Sequence, residues 1–70
     1  MKENTPEIIR PQHDDDYIYA AYMMERIGGG FAGHIARAYF AADSGNRARL
    51  RAAFPDLFTR YFNVYLNHQE

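Results

Sequence analysis

A chain of seventy residues that contains no cysteine has to hold its fold together by packing alone. Disulfides and cysteine-bound metal ions commonly support domains this small, because a short chain buries only about 60% of its unfolded surface. Without either support, one small hydrophobic core must stabilise a single domain. No apolar run approaches the roughly 18 residues that cross a membrane, and the opening residues lack a secretory signal pattern.

Glycine and proline divide the sequence into segments with helical character. The run Asp14–Asp16 suits the start of a helix, because carboxylates there meet exposed N–H groups and the positive end of the helix dipole. Apolar residues follow it, and Gly28–Gly30 ends this first predicted helix, since glycine tolerates the left-handed conformation found after helix ends. A second helix is predicted over about Phe31 to Ala42.

The second predicted helix carries one apolar face and several small residues. The apolar spacing i, i+4, i+7, i+8 and i+11 predicts a continuous inward face. Small residues elsewhere on this helix keep its surface thin, which allows another helix to approach closely. The residues of the predicted inward face are Phe31, Ile35, Ala38, Tyr39 and Ala42, and the small residues are Ala32, Gly33, Ala36 and Ala41.

Two further helices are expected in the C-terminal part of the chain. A turn over Asp43–Asn46 precedes the third helix, which Asp43 or Ser44 can cap. Pro55 ends that helix and begins the fourth, because the residue before a proline avoids the α conformation and proline itself suits the first helical turn. The aromatic and β-branched stretch Tyr61–Leu66 could also form a strand. Its uninterrupted continuation from Pro55 favours the helix.

The segments together predict an all-α fold. We expect a compact bundle of about four short helices, which forms a single helical domain over residues 14–70. An irregular N-terminal arm over residues 1–13 should precede it, because this stretch contains Pro6 and Pro11 and shows no apolar periodicity.

The sequence offers no recognisable active site. His34 and Arg37 lie one turn apart on the second predicted helix, but no nucleophile or orienting carboxylate accompanies them, so a half-buried structural histidine is expected. His13 with Asp14–Asp16 is interpreted as a helix start rather than a metal site, because successive helical residues point about 100° apart. We expect a protein that is not an enzyme and that uses no cofactor and no metal.

Arginine and tyrosine near the middle of the chain form the best candidate for a functional surface. Aromatic residues make up 16% of the chain, which is more than so small a core needs to hide. Tyrosine and arginine are also enriched at protein interfaces. Arg47 and Arg51 share one face of the third predicted helix, whereas Arg49 points away. The predicted partner-binding residues are Tyr39, Asn46, Arg47, Arg49 and Arg51.

Two other interpretations fit the same residues. The second and third predicted helices imitate a DNA-binding helix-turn-helix, with Asn46, Arg47 and Arg49 at the start of the recognition helix. A net charge of −1 argues against this alternative, because such a chain supplies few phosphate contacts, and the predicted turn is longer than that motif's. The other interpretation is a structural homo-oligomer, such as a homodimer, in which a second copy covers the surplus rings.

A pattern between Phe31 and Tyr61 resembles one found in short uncharacterised helical proteins of bacteriophages, plasmids and other mobile elements. It covers less than half of the chain and carries no catalytic assignment. The resemblance implies a cytoplasmic setting in a bacterial host cell, which fits the absence of cysteine. It also implies an inhibitor of a host defence complex, similar to anti-CRISPR proteins, that occludes a partner's surface. We therefore expect a small protein-binding module of this kind. The residues of the pattern are His34–Ala36, Ala42, Asp43, Asn46, Arg47, Leu50, Ala53–Phe58 and Tyr61.

Overall fold

The computed structural model describes residues 8–68, which form four helices and no strand. The predicted all-α class and the bundle of four short helices are confirmed. Residues 8–13 are not helical, as expected for the arm, while residues 1–7 of the predicted arm and residues 69–70 of the predicted helical domain lie outside the described residues. The helices are α1 (Asp14–Ile27), α2 (Gly29–Ala41), α3 (Ser44–Ala53) and α4 (Pro55–Asn67).

Helix α1 begins at the acidic run, as predicted. The Asp16 carboxylate accepts hydrogen bonds from the backbone N–H groups of Gln12, at 2.9 Å, and His13, at 3.1 Å. The Gln12 bond is the main reason that the pKa of Asp16 lies below its ordinary value. Burial, the next largest effect, raises this pKa, and the hydrogen bond and charge of His13 lower it. One charged side chain in the first turn of α1 therefore holds the residues that precede the helix and marks its start.

Two side chains hold the described part of the arm against the helices. The Asn63 side chain on α4 accepts a hydrogen bond from Ile9 N–H at 3.1 Å and donates one to the Ile9 carbonyl at 2.8 Å. The Tyr17 hydroxyl on α1 donates to the carbonyl of Pro11, which is buried. The last residues of the arm therefore pack on the bundle.

A sharp connection joins α1 to α2. Gly29 has φ 77°, a left-handed conformation that residues with a Cβ rarely adopt. At the preceding Gly28, a Cβ would lie 2.4 Å from the Met24 carbonyl oxygen and 2.7 Å from the Ala32 Cβ. The two helices approach too closely here for any larger residue. Helix α2 begins at Gly29, two residues before the predicted Phe31, because the last two glycines already belong to it.

The core lies where α1 packs against α2 and α4. The buried face of α2 differs from the predicted one: Ala38 is exposed and Phe31 is 62% exposed, whereas Ala32 and Ala36 are buried. That part of the prediction is wrong because the small residues, rather than the bulky ones, let α2 lie close to α1. The Phe31 ring instead contacts Phe54 edge-on, with 5.6 Å between ring centroids. The core residues are Ala20, Ala21, Met24, Ala32, Ala36, Tyr39, Phe58 and Phe62.

Helices α3 and α4 follow with short connections. Asp43 caps α3 by accepting a hydrogen bond from Asn46 N–H at 2.9 Å, so Asp43 rather than Ser44 is the cap. The predicted turn over Asp43–Asn46 is too long, because α3 begins at Ser44 and only two residues separate it from α2. Pro55 is the first residue of α4, and Tyr61–Leu66 is entirely helical, which excludes the strand alternative.

Alanine substitutions at Gly28 and Gly30 form a matched pair that tests the close approach of α1 and α2. Gly28→Ala should lower the free energy of unfolding by about 1–3 kcal/mol, because its Cβ overlaps the Met24 carbonyl and Ala32. Gly30→Ala meets no atom within 4 Å and should raise that free energy by about 0.5–1 kcal/mol, since it restricts the unfolded chain. Urea denaturation followed by circular dichroism measures both values. Equal effects at the two positions would contradict the packing described here.

The depressed pKa of Asp16 predicts how stability depends on pH. A carboxyl group whose pKa is lower in the folded state contributes stability that is complete above its unfolded value, near the ordinary 3.8. That contribution is lost as the pH falls through the folded pKa. Asp16→Asn should therefore reduce the loss of stability at acid pH. Urea denaturation of the wild-type chain and of Asp16→Asn across pH 2–6 measures that loss, and an equal loss in the two proteins would contradict this role of Asp16.

Candidate binding surfaces

Tyr39 belongs to the predicted binding cluster, yet the structure places its side chain in the core. It is 1% exposed, and its ring lies 5.2 Å from the Phe58 ring between centroids. Its hydroxyl accepts a hydrogen bond from Arg51 Nη1 at 3.0 Å. The prediction that Tyr39 contacts a partner therefore needs correction. Tyr39 lies on the α2 face that packs against α1 and contacts Phe58 of α4, so it can position the arginines around it but is too buried to contact a partner.

Arg47 reaches from α3 to the end of α2. Its Nε donates to the Tyr39 carbonyl at 2.9 Å and its Nη2 to the Phe40 carbonyl at 3.3 Å. Carbonyl groups in the last turn of a helix lack intrahelical donors, and a cation there also complements the helix dipole. The guanidinium carbon lies 4.9 Å from the Tyr39 ring centroid. Arg47 therefore caps α2 and covers the core tyrosine.

Arg51 lies one helical turn further along α3 and joins that helix to α1. Besides its bond to the Tyr39 hydroxyl, its guanidinium carbon lies 5.0 Å from the ring centroid of Tyr17 on α1. A cation over an aromatic face is attracted by the ring quadrupole. Arg47 and Arg51 are both half-buried and both meet the same tyrosine. The predicted shared face of these two arginines is confirmed.

The two arginines line an open cleft of about 370 Å³, which we call the arginine cleft. Each guanidinium carries five N–H donors, and within residues 8–68 the bonds of these two arginines go to backbone carbonyls and a hydroxyl. Most of their donors therefore remain available to a ligand. One carboxylate, that of Asp14 at the start of α1, faces the same space. The lining residues are Asp14, Tyr39, Ala42, Ser44, Arg47 and Arg51.

Asn46 and Arg49 lie outside the arginine cleft. Both side chains are exposed, and Arg49 Nη1 donates to Asn46 Oδ1 at 3.4 Å. They line a shallow depression between the end of α2 and α3, together with alanines and Leu50. The structure therefore divides the predicted cluster into a half-buried pair in the cleft and an exposed pair beside it.

A second surface between α1 and α4 was missed by the sequence analysis. Tyr22 is 48% exposed and Ile27 is 54% exposed, and the guanidinium carbon of Arg26 lies 5.6 Å from the Tyr22 ring centroid. Nearby, the rings of Tyr19 and Tyr65 stack with centroids 4.5 Å apart. Tyr19, Tyr22 and Arg26 recur at helical spacing, which is the signal that could have identified this face. The tyrosine groove is lined by Tyr22, Met23, Arg26, Ile27, Tyr65 and His68.

His34 does not occupy the half-buried position expected for it. Its side chain is exposed, and its Nδ1 lies 2.8 Å from Arg37 Nη2. Because arginine can only donate, this contact requires an unprotonated Nδ1. Across residues 8–68, no three His, Asp or Glu side chains lie close enough together to hold a metal ion. None of the helices described is both long and apolar enough to cross a membrane.

The function of this chain has to be inferred from the surfaces described above, because comparison with known proteins identifies no match. No protein-family model, no curated protein and no solved structure matches the chain significantly. The resemblance of Phe31–Tyr61 to proteins of bacteriophages and other mobile elements therefore stays a prediction.

Tyr39→Phe tests whether the buried hydroxyl positions Arg51. The variant keeps the ring but removes the acceptor for a charged donor, so the free energy of unfolding should fall by about 1–2 kcal/mol. Tyr22→Phe removes a hydroxyl from an exposed tyrosine and should change that free energy by less than about 0.5 kcal/mol. Urea denaturation measures both effects. Equal values for the two variants would exclude a structural role for the Tyr39 hydroxyl.

Proposed function

We propose that this chain is a small protein-binding module and that its partner docks on the tyrosine groove. The observation that carries the proposal is the exposure of large side chains in this groove. Tyr22, at 48%, and Ile27, at 54%, remain accessible in a chain whose core is built largely from alanine and a few rings. Burying such side chains against a second surface is favourable by roughly 25 cal/mol per Å² of apolar area.

The rings that line the tyrosine groove, Tyr22 and Tyr65, each pack against a neighbouring side chain. Tyr19 and Tyr65 stack with an interplanar angle of 8°, and Arg26 lies over Tyr22. A partner that binds ordered side chains loses less conformational entropy than one that must immobilise them. Tyrosine and arginine are also the residue types that dominate binding energy at interfaces. Both arguments favour docking here over the alanine-lined depression beside α3.

The charges of the groove specify the chemistry of the partner. Its lining holds the cation Arg26 and no carboxylate among the residues described. The matching surface is therefore an apolar patch that carries an acidic side chain, placed to reach the Arg26 guanidinium beside the Tyr22 ring. Such a pairing favours the correct partner and increases the rate of encounter.

The biological setting of this module comes from the resemblance of Phe31–Tyr61 to proteins of bacteriophages and other mobile elements. We assign the chain to the bacterial cytoplasm as an inhibitor of a host defence complex, similar in action to anti-CRISPR proteins. A chain of 8.1 kDa that binds through a groove inhibits by occluding a surface that its partner needs. This mode of action requires no catalytic residue and no cofactor.

DNA binding is the second candidate, and one observation favours it. The connection between α2 and α3 has only two residues, so the long predicted turn no longer argues against a helix-turn-helix. Asn46 and Arg49 are also exposed near the start of α3. The net charge of −1 still limits phosphate contacts. The DNA-binding alternative requires Arg47 to contact the DNA, but its guanidinium is hydrogen-bonded to carbonyl groups at the end of α2.

Capture from a bacterial lysate with matched variants tests the proposed function. The wild-type chain should retain a protein that Tyr22→Ala loses about tenfold or more, because the central tyrosine of an interface typically contributes 2 kcal/mol or more. Phe31→Ala, which alters a ring 62% exposed on α2, is the control and should retain that protein. Mass spectrometry identifies it, and a component of a defence complex supports the inhibitory role.

Several outcomes would contradict the proposal. Equal loss with Tyr22→Ala and Phe31→Ala would exclude the tyrosine groove as the docking surface. Capture that nuclease treatment abolishes would favour the DNA-binding alternative. Light scattering that finds a homodimer, which Tyr22→Ala dissociates, would make the groove a contact between two copies of the chain.

A further inference from the structure

We propose that the arginine cleft is a binding site for an oxyanion, either a carboxylate or a phosphate group. This site is separate from the tyrosine groove and does not depend on the docking proposed there. Two positively charged arginines line one open space of about 370 Å³, and Ser44 lines the same space. Arginine presents a planar set of donors that fits two oxygens of a carboxylate or phosphate at once.

The structure holds both arginines in place by neutral groups. Arg47 bonds to two backbone carbonyls, and Arg51 bonds to the Tyr39 hydroxyl. Neutral acceptors orient a guanidinium without cancelling its charge. Each side chain also lies over an aromatic ring, which restricts its motion further. The entropic cost of ordering two long side chains is therefore met by folding rather than by ligand binding.

The shared tyrosine brings two like charges together. Arg47 covers the Tyr39 ring at 4.9 Å, and Arg51 meets its hydroxyl at 3.0 Å. The cap on α2 explains the position of Arg47, and the hydrogen bond to Tyr39 explains the position of Arg51. Neither contact explains why both arginines line the same cleft. Two like charges that line one open cleft repel each other, and a bound anion offsets that repulsion. An oxyanion bound there accepts hydrogen bonds from the donors that the fold leaves available.

Asp14 limits the affinity of this site and provides a signature for it. Its carboxylate lines the same cleft, so the two arginines and this one acid leave a net charge of +1 among the lining residues. A bound anion is attracted by the arginines and repelled by Asp14. Removing the Asp14 charge should therefore strengthen anion binding, which a purely structural role of the arginines does not predict.

Titration with inorganic phosphate and with acetate, at constant ionic strength set by chloride, tests the proposal. In nuclear magnetic resonance spectra, the Nε–H signals of Arg47 and Arg51 should shift saturably with at least one of the two anions, while that of Arg49 should not. Preference for phosphate identifies a tetrahedral oxyanion as the ligand, and equal or tighter acetate binding identifies a carboxylate, such as an acidic side chain. Both results support the site.

Three variants distinguish an anion-binding site from arginines that only stabilise the fold. Arg51→Gln should raise the Kd for the preferred anion about tenfold, through the loss of a charged donor pair. Asp14→Asn should lower that Kd about threefold, as expected for a screened charge in an open cleft. Arg49→Gln is the matched control outside the cleft and should leave the Kd within about twofold. Circular dichroism checks that each variant is folded.

Clear results would overturn the oxyanion site. The proposal fails if neither anion gives a saturable shift, or if Arg26 and Arg49 respond as strongly as Arg47 and Arg51. It also fails if Asp14→Asn leaves the Kd unchanged, a test that holds even where Arg51→Gln does not fold. Tyr22→Ala should not alter anion binding, so failure of this site and failure of the tyrosine groove are distinguishable.

Discussion

The burial of Tyr39 is the interaction on which the rest of this structure depends. Its ring packs on Phe58 at the centre of a core that no disulfide supports, and its hydroxyl must find a partner because a buried phenol without a hydrogen bond is costly. Arg51 supplies that bond from α3. Helix α3 has no fully buried residue of its own, so Leu50, which packs against the core, and the contacts of Arg47 and Arg51 with this tyrosine hold it in place. The same contacts order the arginine cleft, which links the stability of the fold to the geometry of a binding site.

Close packing of small side chains between α1 and α2, together with a few buried rings, offsets the missing cysteines. Ala20 and Ala21 on α1 meet a stripe of small residues on α2, and Gly28 leaves no room for a Cβ between the helices. This arrangement buries backbone and small groups efficiently, because dispersion contacts require close approach. It also leaves several rings, such as those of Phe31 and Tyr22, outside the core. The exposure of Phe31 and of the tyrosines in the groove is therefore a consequence of how the core is built, and it provides the surface available to a partner.

Helix α1 contributes to both candidate surfaces. Asp14 lines the arginine cleft at its start, and Arg26 lines the tyrosine groove near its end. At 1.5 Å per residue these positions lie roughly 18 Å apart along the helix axis. A single small ligand cannot occupy both sites, but one protein partner is large enough to contact the two together. An acidic, partly apolar surface satisfies the chemistry of the groove and of the cleft.

The sequence by itself determined the local structure of this protein, and the tertiary structure decided which faces are buried. The start of α1 at Asp14, the break at the glycines and the start of α4 at Pro55 follow from capping, from backbone freedom and from the fixed φ of proline, all of which act within a few residues. The pairing of Arg47 with Arg51 on one face of α3 follows from helical spacing in the same way.

The inward face of α2 does not follow from the sequence, because apolar spacing favours Phe31 and Ala38, whereas the shape of α1 selects Ala32 and Ala36. The burial of Tyr39 beneath the arginines and the meeting of Tyr19 with Tyr65 depend on contacts between distant segments. Only the packed bundle brings those segments together.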